Sequence, residues 1–265
     1  MSDRARAWLV VAVAAAAAAG TAVGVTLATR SEVDQRTSKP PPFAPDPTAP
    51  PEVAREVRDA LRAWPAGTVR RLRILAARNP ASALVRLELG LALAFSGQNA
   101  DAVRAWKEAE RVQPDSPSAV RAQDLRHPRA APGLPPFVPS FDRPTTVAQS
   151  HLLRGAAFQQ ALRPVSAERE FAAAAQAAPN DPEALTAAAV GLYDKDRPAL
   201  AFSQLGPLAR RFPHAQTVRF HLGLLLIYLG DMPRARRELA LARSEGPRTR
   251  LGKRAETLLE AGRKP

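Results

Sequence analysis

The chain has 265 residues, 46% of them hydrophobic but only 5% aromatic, and no cysteine. Without cysteine there can be no disulfides, thiol catalysis, thiolate zinc sites or lipid-modified cysteine. A net charge of +13 and an isoelectric point near 11.3 suit a partner with an anionic surface, although an Arg-, Ala- and Pro-rich composition is also what a high-GC genome produces.

Residues 1–7 read as a short tail carrying Arg4 and Arg6. Residues 8–28, from Trp8 to Ala28, carry no charge and are long enough to cross a bilayer as one helix. Alanine is weakly hydrophobic, so insertion would rest on the valines, Leu9, Leu27 and an interfacial Trp8. A signal peptide cleaved near Ala22 or Ala28 is the rival reading; the length of the apolar run favours an uncleaved signal-anchor. Arg4 and Arg6 favour a cytoplasmic N-terminus, while Arg30, Arg36 and Lys39 oppose it. The short tail is the easier part to leave inside, which makes the protein single-pass with its bulk outside the cytoplasm. Gly20 and Gly24 have the spacing that lets two such helices pack, a possible homo-oligomer contact. Residues 29–51, with Pro40, Pro41, Pro42, Pro45, Pro47, Pro50 and Pro51, predict a stiff extended linker.

Beyond the linker the composition favours helices, because alanine and leucine are strong helix formers. In 83–116, Leu89-Gly90-x-x-Leu93 is followed by Gly97, by Ala102-x-x-x-Trp106-x-x-Ala109 and by Pro114. Windows 148–181, 182–215 and 216–249 abut and repeat this order. Their small residues are Gly155, Ala189 and Gly223, then Ala167, Ala201 and Ala235. Their large residues are Phe171, Leu205 and Leu239, and the closing prolines are Pro179, Pro213 and Pro247. Window 49–82 fits only in its second half, so 52–116 reads as one degenerate and one clear unit. Small residues let one helix approach another, and the larger residue fills the gap between pairs. Residues 117–147 interrupt the array. Ser118 to Arg126 suits a short helix, and the rest is Pro-rich around Phe137 and Phe141. It reads either as a loop packing its phenylalanines on the helices or as a Pro-rich ligand or hinge. Residues 148–249 hold three contiguous units, and 250–265 a capping helix and tail, with Leu251, Ala255, Leu258 and Leu259 on one face.

These windows, repeating at about 34 residues, resemble the tetratricopeptide repeat. The match covers about two thirds of the chain. It departs at the family's Trp position, which holds Arg86, His151, Leu185 and Arg219, and Arg154 stands where the family has Leu. The resemblance implies an all-α fold: a right-handed superhelical solenoid of antiparallel helix pairs, here beside one N-terminal transmembrane helix. It also implies a partner-binding groove lined by the first helix of each pair. Carried over by position, that groove comprises Leu84, Leu87, Leu91 and Phe95, then Gln149, Leu152, Gln159 and Gln160. It continues with Glu183, Thr186, Tyr193 and Asp194, then Thr217, Phe220, Leu224, Ile227 and Tyr228. The Lys, Arg and Asn set with which some relatives clamp a C-terminal carboxylate does not stand at these positions.

Catalysis finds little support. The sequence carries no phosphate-binding glycine loop, nucleophile elbow or metal motif, and no cofactor or metal is expected. The basic run from Arg234 to Arg254 suits a solvated helix surface better than a nucleic-acid site. The expected function is a membrane-anchored scaffold or adaptor binding a protein or peptide in a bacterial envelope. Two alternatives remain: a cytochrome c maturation-type factor holding an apoprotein, and a basic envelope protein held to anionic lipid or polymer.

Overall fold

The computed structural model describes residues 39–262. Every regular element among them is an α-helix. In order they are α1 (Pro51–Leu61), α2 (Thr68–Arg78), α3 (Ala83–Phe95), α4 (Asn99–Val112), α5 (Pro117–Arg126), α6 (Val147–Gln160) and α7 (Pro164–Ala177). Then come α8 (Pro182–Gly191), α9 (Ala199–Arg211), α10 (Gln216–Leu229), α11 (Met232–Glu245) and α12 (Arg250–Ala261). The expected span 8–28 and the Gly20 and Gly24 pair lie outside the described residues. Among those described, no helix is long and apolar enough to cross a membrane.

The described residues form two compact units, 39–128 and 129–262. In the first, α1, α3 and α5 pack in series, with α2 and α4 against them. In the second, α6, α8, α10 and α12 make the corresponding row, backed by α7, α9 and α11. The segment 117–126 is therefore a helix of the first unit, and the Pro-rich stretch after it belongs to the second.

Local chemistry starts the helices where they start. Ser82, Ser116, Thr146, Asp181, Asp231 and Thr249 each accept a hydrogen bond from a backbone N–H in the first turn that follows. Such a cap satisfies a donor that has no partner within the helix. Three of the turns within pairs share one geometry. Gln98, Arg163 and Asp231 donate their N–H to the carbonyls of Leu93, Phe158 and Leu226, closing the wide loop typical of a left-handed helix end. The left-handed residues are Gly97 (φ 76°), Gly230 (φ 83°) and, at the equivalent place, Leu162 (φ 55°). Leucine carries a Cβ into a conformation that costs ~1–2 kcal/mol for an L-residue.

The helices within a pair meet where a side chain is missing. A Cβ on Gly90 would lie 2.2 Å from Nε1 of Trp106, one on Gly155 2.3 Å from Cε1 of Phe171, and one on Gly223 2.8 Å from Cγ of Leu239. The large residue of the second helix thus lies directly over the glycine of the first. Trp106 also donates its indole N–H to the Leu87 carbonyl at 3.3 Å.

Candidate peptide-binding faces

The row of first helices in the 129–262 unit carries an extended stretch of its own chain. Proline removes backbone donors and favours extended conformations before it. In Pro135-Pro136-Phe137-Val138-Pro139-Ser140 only three residues therefore have an N–H to satisfy, and each finds a side chain on a different helix. Phe137 donates to Oε1 of Gln159 on α6 (2.7 Å), Val138 to Nε2 of His221 on α10 (2.9 Å), and Ser140 to Oε1 of Glu183 on α8 (2.6 Å). The Ser140 hydroxyl reaches Oε2 of the same carboxylate at 2.7 Å, and Gln159 returns a bond to the Pro135 carbonyl at 3.3 Å. Farther along, Arg250 on α12 donates to the Phe141 carbonyl and to Asp142.

Phe137 is the apolar anchor of this segment. Its ring stacks on His221, with centroids 4.8 Å apart and planes at 16°, and meets Phe171 edge-on at 5.2 Å. Phe137 and Val138 are buried with the core.

His221 has its protonation state fixed by these neighbours. Nδ1 faces the Thr217 carbonyl at 2.7 Å and must carry the hydrogen; Nε2 faces the Val138 N–H and must not. Complete burial pushes the imidazole down to about 4 from its ordinary 6.5, with the Thr217 bond opposing and the Arg254 charge assisting. Burial raises the Glu183 carboxyl, against the lowering effect of the two Ser140 bonds.

The 39–128 unit repeats the arrangement with different side chains. Here the segment is Pro41-Pro42-Phe43-Ala44-Pro45-Asp46. Ala44 is buried and donates its N–H to Oε1 of Glu88 on α3 at 2.7 Å. Asp46 accepts from the backbone N–H and hydroxyl of Ser118, at the start of α5, at 3.1 and 2.5 Å. The Arg58 guanidinium lies 5.4 Å from the centroid of the Phe43 ring. Glu88 is fully buried, and its Oε2 meets no partner among the described residues. Burial pushes its carboxyl up to about 8 from 4.5, against the Ala44 bond and the Arg121 charge.

The side chains expected to line a groove have different fates. Leu84, Leu87, Leu91, Leu152, Phe220, Leu224, Ile227 and Tyr228 are buried in the two cores. Thr186 and Thr217 are buried as well, Thr186 bonding back to the Pro182 carbonyl. Tyr193 is buried and meets Tyr228 edge-on at 5.9 Å; Phe95 meets Trp64 edge-on at 6.2 Å. Gln159 and Glu183 hold the extended segment, while Gln149 accepts from Thr145 just before its own helix and so closes the start of α6. Gln160 is exposed, and Asp194 is bonded within its own turn to Asp196 and Arg197.

Glu88, His221, Ser118 and Arg250 were not expected to line the groove, yet two signals in the sequence set Glu88 and His221 apart. Glu88 and His221 hold the same place in windows 83–116 and 216–249, where the other windows have Leu153 and Ala187. The two segments they grip also match residue for residue: Pro-Pro-Phe, then Ala or Val, then Pro, then Asp or Ser.

In the basic C-terminal run, Arg234 bonds Asp231, Arg236 the Gly262 carbonyl and Arg250 Asp142, while Arg243 lies 3.9 Å from Glu256. Among the described residues no three His, Asp or Glu side chains are grouped to hold a metal ion. No family model matches the chain, and no curated protein matches it.

Proposed function

We propose that the chain is a tetratricopeptide-type scaffold whose rows of first helices bind extended segments of a partner polypeptide. Residues 8–28 tether it to a membrane, with the helical array outside the cytoplasm. The recurrence of small residue, left-handed turn and large residue at one spacing supports the repeat reading. The observation that carries the binding function is the capture of Phe137, Val138 and Ser140 by acceptors on three separate helices. Each buried N–H left unmade would cost ~1–3 kcal/mol, so side-chain acceptors placed on three helices at the spacing of an extended backbone equip this face to hold such a chain. The short row of acceptors, the aromatic anchor and the charged rim are the elements of a peptide site.

The test is photocrosslinking in membranes with the full chain carrying a photoreactive residue at Gln160, which is exposed beside Gln159 at the end of α6. The proposal predicts a discrete polypeptide crosslinked through one extended segment, resistant to moderate salt. Crosslinks to lipid or polymer alone, or ones that fade steeply with salt, would favour the basic-surface alternative instead.

A further inference from the structure

We infer that the partner segment is of the Pro-Pro-Phe-(Ala/Val)-Pro-(Asp/Ser) class, and that residues 135–142 are an internal copy occupying the site until such a segment displaces it. This rests on the scaffold function proposed above and specifies its ligand.

The same six-residue pattern lies on two faces of one chain, and on both the N–H of its fourth residue goes to the same helix position. That position is a carboxyl on one face, Glu88, and a neutral imidazole on the other, His221. These two groups have little in common except that each can accept one hydrogen bond from a buried backbone. The feature kept across both faces is therefore the reading of that N–H, not the identity of the reader. The prolines of the pattern make this reading selective. They strip donors from the flanking positions, so a segment without them would bury N–H groups that the face does not meet. They also hold the segment extended before it docks, which reduces the ordering cost of binding. At the third position, the slot between Phe171 and His221 takes a flat ring.

The helices of this unit also contact one another directly, α6 with α8, α8 with α10 and α10 with α12, each beside its backing helix, so the segment is not their sole link. Its outer holds, Ser140 on Glu183 and Asp142 on Arg250, are exposed to solvent. Being tethered, it competes at high effective concentration, so a free segment binds well only once the copy is disabled.

The experiment uses the full chain and a fluorescein-labelled peptide matching residues 133–143, followed by anisotropy. Phe137→Asp in the protein removes the anchor of the internal copy. The expected result is saturable binding to this variant, at least about 100-fold tighter than to wild type. Binding should be abolished by adding Gln159→Leu and Glu183→Leu to the variant, and by scrambling the peptide. Three results would overturn the inference. They are no saturable binding to a Phe137→Asp chain that keeps its helical circular dichroism, equal binding to variant and wild type, or self-association of the variant that peptide fails to compete, which would make a second copy the occupant. If Phe137→Asp loses its helices, Phe43→Asp with a peptide matching residues 39–49 decides the same question on the Glu88 face. A crosslinked partner lacking the motif would leave the scaffold proposal standing and remove only this one.

Discussion

Replacing Glu88 by glutamine gives the sharpest test of how the 39–128 unit holds its extended segment. The buried carboxyl keeps its proton up to about 8, whereas in the unfolded chain it loses it near 4.5. Folding therefore takes up a proton between these values, and each pH unit climbed lowers stability by ~1.4 kcal/mol. The contribution is fully present below 4.5, declines as pH rises through about 8, and changes no further above it. Across the window this amounts to about 5 kcal/mol. Glutamine keeps an oxygen for the Ala44 N–H and does not titrate. Trp64 and Trp106 both lie in this unit, so with Trp8, the third tryptophan, replaced by Phe in both proteins, urea unfolding followed by tryptophan fluorescence reports it selectively. Between about pH 5 and about pH 8, wild type should lose about 4 kcal/mol relative to Glu88→Gln. A difference between the two proteins that stays constant over that range would refute the burial of this carboxyl against Ala44.

The 129–262 unit should respond to pH in the opposite sense. His221 stays neutral in the fold down to about 4 but is protonated near 6.5 when unfolded, so stability is complete above 6.5 and falls by about 3 kcal/mol toward pH 4. Near-UV circular dichroism of Tyr193 and Tyr228, both in this unit, should show the loss in wild type and not in His221→Gln. Leu162→Gly should raise stability by about 0.5–1 kcal/mol in thermal melts, since relief of the left-handed strain exceeds the entropy glycine adds to the unfolded chain. A fall would mean that the Leu162 side chain holds the turn by packing. Gly155→Ala should cost about 1–3 kcal/mol, because its Cβ would press on Phe171. A double-mutant cycle with Phe171→Leu should recover much of that loss, and strict additivity would show that the two residues do not meet.

The paired helices were legible because their cause is local and periodic. Gly90, Gly155 and Gly223 mark the close approach, whereas Trp106, Phe171 and Leu239, expected to fill the gap between pairs, lie over these glycines within a pair. The short helix at 117–126 and the closing helix α12 could also be read from spacing. Leu162 was not legible as a left-handed residue, because the turn imposes its conformation on a side chain that ordinarily avoids it. Nor were Glu88 and His221, each a polar residue within an apolar helix. What they accept is a backbone N–H on a segment far away in sequence. The Pro-rich stretch 29–51 reads as a spacer because prolines give no periodicity, and in 117–147 the packing of Phe137 on the helices is one of two readings left open, because docking depends on distant partners. The copy of one motif in the other was visible in the residues, but it acquires meaning only once both are seen bonded through the same position.

The most direct test of the account is hydrogen exchange of the full chain, resolved to single amides across residues 133–143. If the helix face holds this segment through its backbone, the amides of Phe137 and Val138 exchange at least about 100-fold more slowly than in the free peptide, and Phe137→Asp restores fast exchange at both. If those amides exchange in wild type at the rate of the free peptide, the segment is not held, and the reading of this face as a receptor for extended chain is contradicted.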